Sequence, residues 1–370
     1  MNKVIIIGGG IAGLVSSIHL AKQGISSLVM ERKVYPFHRV CGEYVSNEAI
    51  PYLKSLEIFP HEFRPPSITR FQLSSISGKA TTLPLDLGGF GISRYNFDNF
   101  LMQRAVAAGV TVLTGVTAED IAFSGNNFQV KTDHGDFQAE FVLAAHGKRS
   151  NIDLHMQRNF TRIRSPYVGV KYHVRHSHPR DVVALHNFDG GYCGISPVEN
   201  NIVNVCYLVH RDRLKQHKNI STLENVVLRQ NPHLNELFTS ATFLYEKPET
   251  INEISFETKL PVEHHMLMIG DAAGMITPLC GNGMAMAIHS AKLAAESVTS
   301  FYAERLRDRQ QVENAYAASW SNEFRMRLWA GRKIQGLFGS RTASSLAMNL
   351  AMHFDAVTRF LMRKTHGKPF

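Results

Sequence analysis

Residues 4–13 read Val-Ile-Ile-Ile-Gly-Gly-Gly-Ile-Ala-Gly. The apolar run from Val4 to Ile7 is typical of a buried parallel strand. Residues 11–23 predict a helix, and Gly24 follows it in the position where helices commonly end. The stretch therefore predicts a strand, a tight turn and a helix, which together begin a Rossmann-type α/β domain.

The glycines of this stretch have the spacing G-x-G-x-x-G, and each has a physical task. Gly8 permits the tight turn, Gly10 lets the backbone approach a diphosphate, and Gly13 lets the helix pack closely on the strand. The N–H groups of Ile11 and Ala12, at the helix N-terminus, favour an anion. A nucleotide site is predicted here, and a glycine-rich turn without a ligand is the alternative.

A second predicted strand, residues 27–30, leads into Glu31. This is the position whose carboxylate accepts hydrogen bonds from a ribose. The carboxylate repels a 2′-phosphate, but Arg32 follows immediately, so these residues alone leave the kind of dinucleotide open.

A second glycine-rich segment lies near residue 270. Residues 266–274 read Met-Leu-Met-Ile-Gly-Asp-Ala-Ala-Gly, and residues 277–285 read Thr-Pro-Leu-Cys-Gly-Asn-Gly-Met-Ala. This pattern resembles the second FAD motif of the para-hydroxybenzoate hydroxylase superfamily. That superfamily contains aromatic hydroxylases, halogenases, squalene epoxidase-like enzymes and geranylgeranyl reductases.

The resemblance implies that both ends of the chain fold onto one noncovalently bound FAD. It implies that Asp271 contacts the ribityl chain and that a helix N-terminus faces the flavin pyrimidine. A helix N-terminus there would stabilise the negative charge of the reduced flavin. The cofactor-binding residues implied in this segment are Gly270, Asp271, Pro278, Gly281, Asn282, Gly283 and Met284.

Two further segments resemble the geranylgeranyl reductase branch of this superfamily. Residues 39–46, Arg-Val-Cys-Gly-Glu-Tyr-Val-Ser, resemble its Cys-Gly segment, which implies that Arg39, Cys41 and Gly42 lie along the flavin. Residues 92–101 resemble its R-x-x-F-D-x-x-L helix start, which implies a cofactor contact at Arg94. Val116 falls where the family's backbone touches adenine.

Cys41 is the candidate catalytic residue, because a thiol beside the flavin can donate a proton during reduction of an alkene. Its alternative role is that of a small buried apolar residue. Tyr44, His186, Tyr192 and Cys193 are predicted to line the substrate pocket.

The chain departs from the superfamily pattern at two places. His146-Gly147 stands where the hydroxylases have an Asp-Gly pair that contacts FAD and NAD(P)H, which leaves the electron donor open between NAD(P)H and a partner protein. Residues 192–197 match the family's Y-x-W-x-F-P stretch with Gly194 and Ser196 in place of Trp and Phe. A polyprenyl substrate is therefore not assured, and the absence of W-x-W-x-I-P disfavours halogenation.

The composition is typical of a globular protein, since 44% of the residues are hydrophobic and 19% are charged. At 370 residues, the chain is long enough to form two hydrophobic cores. No apolar run is long enough for a transmembrane helix, and the N-terminus leads into the nucleotide motif rather than a signal-peptide cleavage site. The four cysteines lack metal or disulfide spacing, so no metal site is expected and a cytoplasmic location is predicted.

The net charge of +9 is concentrated at the end of the chain. Residues 301–370 carry 12 Lys and Arg against 5 Asp and Glu, together with many apolar side chains in a helix-prone sequence. Such a region can lie on the inner, anionic membrane surface as a peripheral contact, and the alternative is a helix packed on the body with a solvated basic face. No nucleic-acid motif accompanies the charge, so no nucleic-acid partner is expected. The oligomeric state is left open.

The predicted fold is an α/β Rossmann-type FAD-binding domain interrupted by a mixed β-sheet substrate domain, with a helical C-terminal region. Residues 1–65, 95–150 and 260–300 are assigned to the FAD-binding domain. Residues 66–94 and 151–259 are assigned to the substrate domain, and residues 301–370 to the helical region.

Three functions remain open from the sequence. The first is a flavin-dependent reductase of C=C bonds in a hydrophobic substrate of lipid, isoprenoid or polyketide-like character. The second is an FAD-dependent monooxygenase, a hydroxylase or epoxidase that uses NAD(P)H and O2. The third is a flavin-binding sensor without catalysis.

Overall fold

The structure, a computed structural model, describes residues 2–252, 254–335 and 366–370 of the chain. The strands are β1 (Asn2–Ile7), β2 (Ser27–Glu31), β3 (Tyr44–Ser46), β4 (Ser67–Ser74), β5 (Ala80–Gly91), β6 (Thr111–Thr114), β7 (Ala118–Ser124), β8 (Asn127–Thr132), β9 (Gly135–Ala144), β10 (Tyr167–Arg175), β11 (Val182–Phe188), β12 (Gly191–Pro197), β13 (Val203–His210), β14 (Thr242–Phe243), β15 (Glu249–Ile251), β16 (Val262–Glu263) and β17 (Met266–Met268). The α-helices are α1 (Ile11–Lys22), α2 (Ile50–Ser55), α3 (Arg94–Ala107), α4 (Asn151–His155), α5 (Arg211–Gln216), α6 (Ile220–Val226), α7 (Pro232–Ser240), α8 (Gly283–Tyr302) and α9 (Arg309–Gln335).

The first sheet has the strand order β16-β17-β9-β1-β2-β6, and its strands from β17 to β6 are parallel. The hairpin of β7 and β8 extends it along β9. Its strands are apolar because helices cover the sheet, and α1 packs against both α3 and α8. Strand β17, from the second glycine-rich segment, lies one strand away from β1. The Rossmann-type fold is confirmed, and both ends of the sequence contribute to one sheet.

The second sheet has the order β14-β10-β13-β12-β11-β4-β5-β3, with β15 on the far side of β10. Its pairs are antiparallel except for β11 and β4. It contains strands from both segments assigned to the substrate domain. It also contains β3, from the segment 1–65 that was assigned to the FAD-binding domain.

The two faces of this second sheet have different partners. One face packs on α6 and α7 around residues such as Tyr207 and Leu223. The other face turns toward the first sheet, where Tyr192 and Leu208 pack with Leu279 of the second glycine-rich segment. Successive side chains of a strand point to opposite faces, so position along the strand decides which residues face the cofactor motifs.

The C-terminal region begins with α9, which buries Tyr316, Trp320 and Phe324 against the body. Residues 366–370 also lie on the body, where the Phe370 ring stacks on His289 at 3.9 Å. Residues 336–365, which form part of the predicted basic amphipathic region, lie outside the described residues. Among the helices that are described, none is both long and apolar enough to cross a membrane.

Candidate active site

The glycines in the turn between β1 and α1 have two different roles: some are required by close packing, and one leaves space for a ligand. A Cβ atom at Gly13 would lie 2.1 Å from the carbonyl oxygen of Gly8, so helix and strand can meet only at a glycine. Gly8 itself has a left-handed φ of 107°. A Cβ at Gly10 would meet only the Nη2 atom of Arg94, at 3.6 Å. Gly10 therefore faces open space at the uncapped N-terminus of α1, which fits a diphosphate.

Glu31 lies at the end of β2 and is 4% exposed. Its carboxylate accepts hydrogen bonds from the Gly9 N–H at 3.1 Å and from Arg39 at 2.9 Å, so its position is fixed. The Val116 N–H donates to the Glu31 carbonyl at 3.1 Å, which places the predicted adenine contact beside the predicted ribose contact. Arg32 is exposed.

The second glycine-rich segment packs directly on the first. A Cβ at Gly270 would lie 3.1 Å from the Cβ of Ala12, and the Gly270 N–H donates to Ser290 Oγ of α8 at 2.8 Å. Gly281 has a left-handed φ of 63° and leads through the fully buried Asn282 into Gly283 and Met284 at the start of α8. Pro278 is exposed. The structure thus brings the two predicted FAD motifs together.

Asp271 is tied to the neighbouring loops through Lys259. The Lys259 ammonium donates to the carbonyls of Asp271 and Lys148, each at 2.8 Å, and burial lowers the pKa of Lys259 to about 8. Burial also raises the pKa of Asp271, although Lys259 acts in the opposite direction. Lys259 was not predicted as a site residue. No local sequence pattern identifies a lysine that hydrogen-bonds to a motif 12 residues away.

His146 lies next to the diphosphate turn, since a Cβ at Gly8 would come within 3.1 Å of the His146 Cα. Its Nε2 atom lies 3.0 Å from Asp153 Oδ1, and Arg158 donates to the same oxygen at 2.8 Å. Burial alone would raise the pKa of Asp153, but the hydrogen bonds from His146 and Arg158 hold it well below its usual range. The residue that replaces the hydroxylase Asp is thus held by a buried carboxylate on α4.

Cys41 lies in the loop before β3, where its carbonyl accepts from Asn204 at 3.1 Å. Arg94 and Glu43 are charged neighbours of its thiol. Burial raises the pKa of the Cys41 thiol, although the positive charge of Arg94 lowers it. The thiol therefore retains its proton at neutral pH and can act as an acid.

Two arginines join the Cys41 loop to the nucleotide motif. Arg94 donates to Asp98 at 2.7 and 2.6 Å, and Arg39 contacts both Asp98 and Glu31. The predicted contacts Arg39, Cys41 and Arg94 therefore form one cluster. Gly42 lies within the same loop, and a Cβ there would meet nothing within 4 Å.

Three buried charged residues beside this cluster were not predicted as a site. The Glu43 carboxylate accepts from Lys171 and lies 2.5 Å from His173 Nε2. Burial would raise the pKa of Glu43, but Lys171 and His173 lower it to about 2. The signal in the sequence was weak: Lys171 and His173 are alternate polar residues in the otherwise apolar β10.

The predicted pocket residues do not all lie together. Tyr44 is buried against the Gly281 turn. Tyr192 faces the same side, where its hydroxyl accepts from the Leu279 N–H at 3.0 Å and hydrogen-bonds to Gln335 at 3.2 Å. Both side chains therefore lie beside the second glycine-rich segment.

Cys193 and His186 lie on the opposite face of the second sheet, which corrects their predicted grouping with Tyr192. Cys193 is buried in the core that contacts α6 and α7, and it pairs across the strands with His186. His186 Nδ1 lies 2.8 Å from Ser74 Oγ, and its ring stacks on His233. The reason is strand alternation, which turns adjacent residues to opposite faces.

Two family models match the chain. A model described as an FAD-binding domain matches residues 1–58, and a model described as squalene epoxidase matches residues 138–325, just over half of the chain. The first match covers the diphosphate turn and the Cys41 loop, and the second covers the His146 loop, most of the second sheet and the second glycine-rich segment.

Individual relatives cover nearly the whole chain at low identity. The digeranylgeranylglycerophospholipid reductase of Methanocaldococcus jannaschii is 26% identical, and the match covers 99% of this chain and 95% of that protein. A geranylgeranyl bacteriochlorophyll reductase-like protein from Thermoplasma acidophilum has a similar structure, with a TM-score of 0.77, 18% identity and coverage of 100% and 96%. The flavin-dependent brominase Bmp2 has a TM-score of 0.79 at 19% identity, with coverage of 98% and 93%.

Proposed function

Since the chain belongs to the squalene epoxidase family and is an FAD-dependent oxidoreductase, we propose that it reduces C=C bonds in a hydrophobic substrate. The observation that carries this proposal is the Cys41 thiol, whose pKa is raised by burial and whose loop is joined to the nucleotide motif through the ion pair of Arg39 and Glu31. The similarity to an archaeal lipid reductase over 99% of the chain supports the same reaction class.

Reduction of an alkene requires a hydride at one carbon and a proton at the other. Bound FAD, once reduced, supplies the hydride, and the protein must supply the proton. We assign the proton to Cys41, whose S–H bond breaks as the new C–H bond forms. The thiolate that remains lies beside the Arg94 guanidinium, which stabilises its negative charge until a proton returns from solvent.

The cofactor-facing side of the second sheet supports a hydrophobic substrate. Its buried apolar side chains form one cluster with residues of the second glycine-rich segment: Leu73, Leu185, Tyr192, Leu208, Ile254, Met275 and Leu279. At Gly194 an added Cβ would meet only the Cys206 carbonyl, at 3.5 Å, so this part of the surface is open. An apolar surface with few polar groups fits a lipid or isoprenoid chain.

The test is an anaerobic single turnover. The purified enzyme is reduced with dithionite in D2O and mixed with lipids that carry geranylgeranyl chains, and the products are examined by mass spectrometry. We expect a gain of two deuterium atoms per double bond, because dithionite supplies only electrons and both the hydride of the reduced flavin and the thiol proton come from D2O. Cys41→Ser should slow this step, whereas Cys193→Ser, a matched change on the other face of the sheet, should not. Unchanged lipids with the fully reduced wild-type enzyme would contradict the proposal.

Monooxygenation is the second candidate, and the squalene epoxidase model supports it. The same protein is therefore supplied with O2 and either NADH or NADPH. A product that gains one oxygen atom, with NAD(P)H consumed in proportion, would favour hydroxylation or epoxidation. If neither nucleotide reduces the flavin, a partner protein is the electron donor that we propose.

We further propose that α9 contacts an anionic lipid surface, from which a hydrophobic substrate would enter. Met326 and Trp329 are 65% and 50% exposed, and Arg325 and Lys333 lie on the same helix face. On the inner side of α9, Gly331 packs against the second glycine-rich segment. An exposed tryptophan flanked by basic residues suits the interface of a membrane with negative headgroups.

Flotation with vesicles of anionic and of neutral lipids tests this contact. We expect binding to the anionic vesicles that partly survives about 0.5 M salt, where electrostatic attraction is strongly screened. Trp329→Ala should remove the salt-resistant part, and Val226→Ala, at a site 49% exposed on α6, should not. No binding even at low salt would refute the contact.

A further inference from the structure

Glu43 occupies an unusual place for a charged residue. It has a left-handed φ of 55°, which is rare for residues other than glycine, and its side chain is completely buried. It lies two residues after Cys41, immediately before β3. A conformation that costs free energy persists only where surrounding contacts hold it.

Those contacts come from three parts of the fold. The Glu43 carboxylate accepts from the Arg94 N–H at the start of α3, at 2.8 Å, and from Lys171 and His173 on β10. Lys171 also donates to the Arg39 carbonyl at 3.1 Å, in the same loop as Cys41. Glu43 therefore joins the Cys41 loop to the start of α3 and to β10 of the second sheet.

The main chain of Glu43 is fixed two residues after Cys41, because its carbonyl accepts from the Ile92 N–H at 3.1 Å. The Glu43 carboxylate acts on the thiol through its charge, and it pairs with the Lys171 ammonium. A unit charge about 6 Å away, at an effective dielectric constant of about 20, changes a thiol–thiolate equilibrium about 100-fold.

The charges around Cys41 would favour a thiolate without this carboxylate. Arg94 and Lys171 both lower the pKa of the thiol, and Lys171 is fully buried. Asp98 offsets Arg94 and Glu31 offsets Arg39, which leaves Lys171 to be offset by Glu43. The charged and titratable groups of the surrounding elements are Arg39 and His38 of the loop, Glu31 of β2, Arg94 and Asp98 of α3, Lys171 and His173 of β10, Cys206 of β13, and Tyr245.

We propose that Glu43 is a positioning residue that helps to keep Cys41 in its protonated form, by neutralising the buried Lys171 ammonium that contacts the Cys41 loop. The reductase step rests on the proposed function, since only a protonated thiol can give a proton to an alkene. The effect of Glu43 on the thiol itself does not depend on which reaction the enzyme performs.

The test measures the thiol rather than turnover. Holoenzyme is treated with methyl methanethiosulfonate over a range of pH, and modification of each cysteine is followed by peptide mass spectrometry. Glu43→Gln should raise the rate at Cys41 at least about tenfold at neutral pH, because one negative charge beside the thiol is lost. Lys171→Gln should lower that rate, because it removes a positive charge and leaves Glu43 in place.

Opposite effects of the two variants are the essential result. A merely structural role would loosen the loop in both and increase the rate in both. Glu199→Gln is the matched control, because Glu199 is also buried and also holds the start of α3, through Ser93 at 2.9 Å and Asn96 at 2.6 Å. Among the described residues, its hydrogen bonds go to Ser93 and Asn96 and not to Arg39, Cys41 or Arg94. Its Cys41 rate should equal that of the wild type.

Glu43→Asp keeps the charge and covers the case in which Glu43→Gln does not fold. It should retain a slow rate at Cys41. The proposal is overturned if Lys171→Gln accelerates modification, or if Glu43→Gln matches the wild type. If the Cys41 modification rates change as expected but the enzyme reduces no alkene, the role of Glu43 stands and the proposed function is overturned instead.

Discussion

Gly13→Ala and Gly10→Val should separate the folding role of the diphosphate turn from its binding role. At Gly13 the new Cβ would lie 2.1 Å from the Gly8 carbonyl oxygen and 3.1 Å from Ile6 Cγ2. The carbonyl belongs to the backbone and cannot turn aside without disturbing the β1–β2 register. Overpacking of this kind costs about 1–3 kcal/mol, and the upper end applies because no flexible side chain can yield.

The expected loss of stability is large enough to measure. A change of about 3 kcal/mol corresponds to a Tm lower by roughly 6–12 °C for a domain of 150–250 residues. At Gly10 the new side chain meets only Arg94 Nη2 at 3.6 Å, so Tm of the FAD-free protein should change little. The valine would instead occupy the space of the diphosphate, and FAD affinity should fall by at least about tenfold, or about 1.4 kcal/mol.

Circular dichroism of FAD-free protein gives Tm, and flavin absorbance after gel filtration gives FAD content. Gly109→Ala is the control, because Gly109 has a left-handed φ of 86° but an added Cβ would meet nothing within 4 Å. Its cost is conformational only, about 1–2 kcal/mol. The reasoning is refuted if Gly13→Ala is no less stable than Gly109→Ala, or if Gly10→Val retains full FAD.

Further predictions concern the thiol, the buried lysine and the pocket wall. Cys41→Ser should keep FAD and flavin reduction while slowing the substrate step about 10²-fold, measured by stopped flow; an unchanged rate would leave Cys41 as packing only. Lys259 has a folded-state pKa of about 8 against a usual 10.5, so burying its charge destabilises the fold below pH 8, and this cost disappears as pH rises to 10.5. The Tm of the wild type should therefore rise relative to that of Lys259→Met between these pH values, and a constant difference would contradict the lowered pKa. Tyr192→Phe should cost about 1 kcal/mol of unfolding free energy, because it leaves the half-buried Leu279 N–H without its acceptor; a loss below about 0.5 kcal/mol would show that another acceptor replaces it.

The cofactor motifs were predictable because the information in them is local. The task of Gly13 follows from its spacing to Gly8, and the structure places its missing Cβ against that residue. The predicted helix 11–23 corresponds to α1, and the predicted strand 27–30 corresponds to β2. Each of these features depends on residues close together in the chain.

The surroundings of Cys41 were not predictable in the same way. Glu43 meets Lys171 and His173 across about 130 residues, and no local pattern specifies that pairing. The placement of His186 and Cys193 depends on which face of each strand meets the core. The sequence of a short apolar strand does not show which face that is. Alternation of Lys171 and His173 within β10 did indicate that one face of that strand is polar.

The position of β17 beside β9 and β1 also has a consequence for synthesis of the chain. At a translation rate of about 5–20 residues per second, Gly270 follows Gly13 by roughly 13–50 seconds. During that interval the emerging chain has the diphosphate turn but lacks the segment that packs against it. FAD binding can therefore add its stabilising free energy only after the second sheet has been synthesised. FAD can therefore stabilise the chain only late in its synthesis. A nascent chain that stalls before β17 would lack this stabilisation.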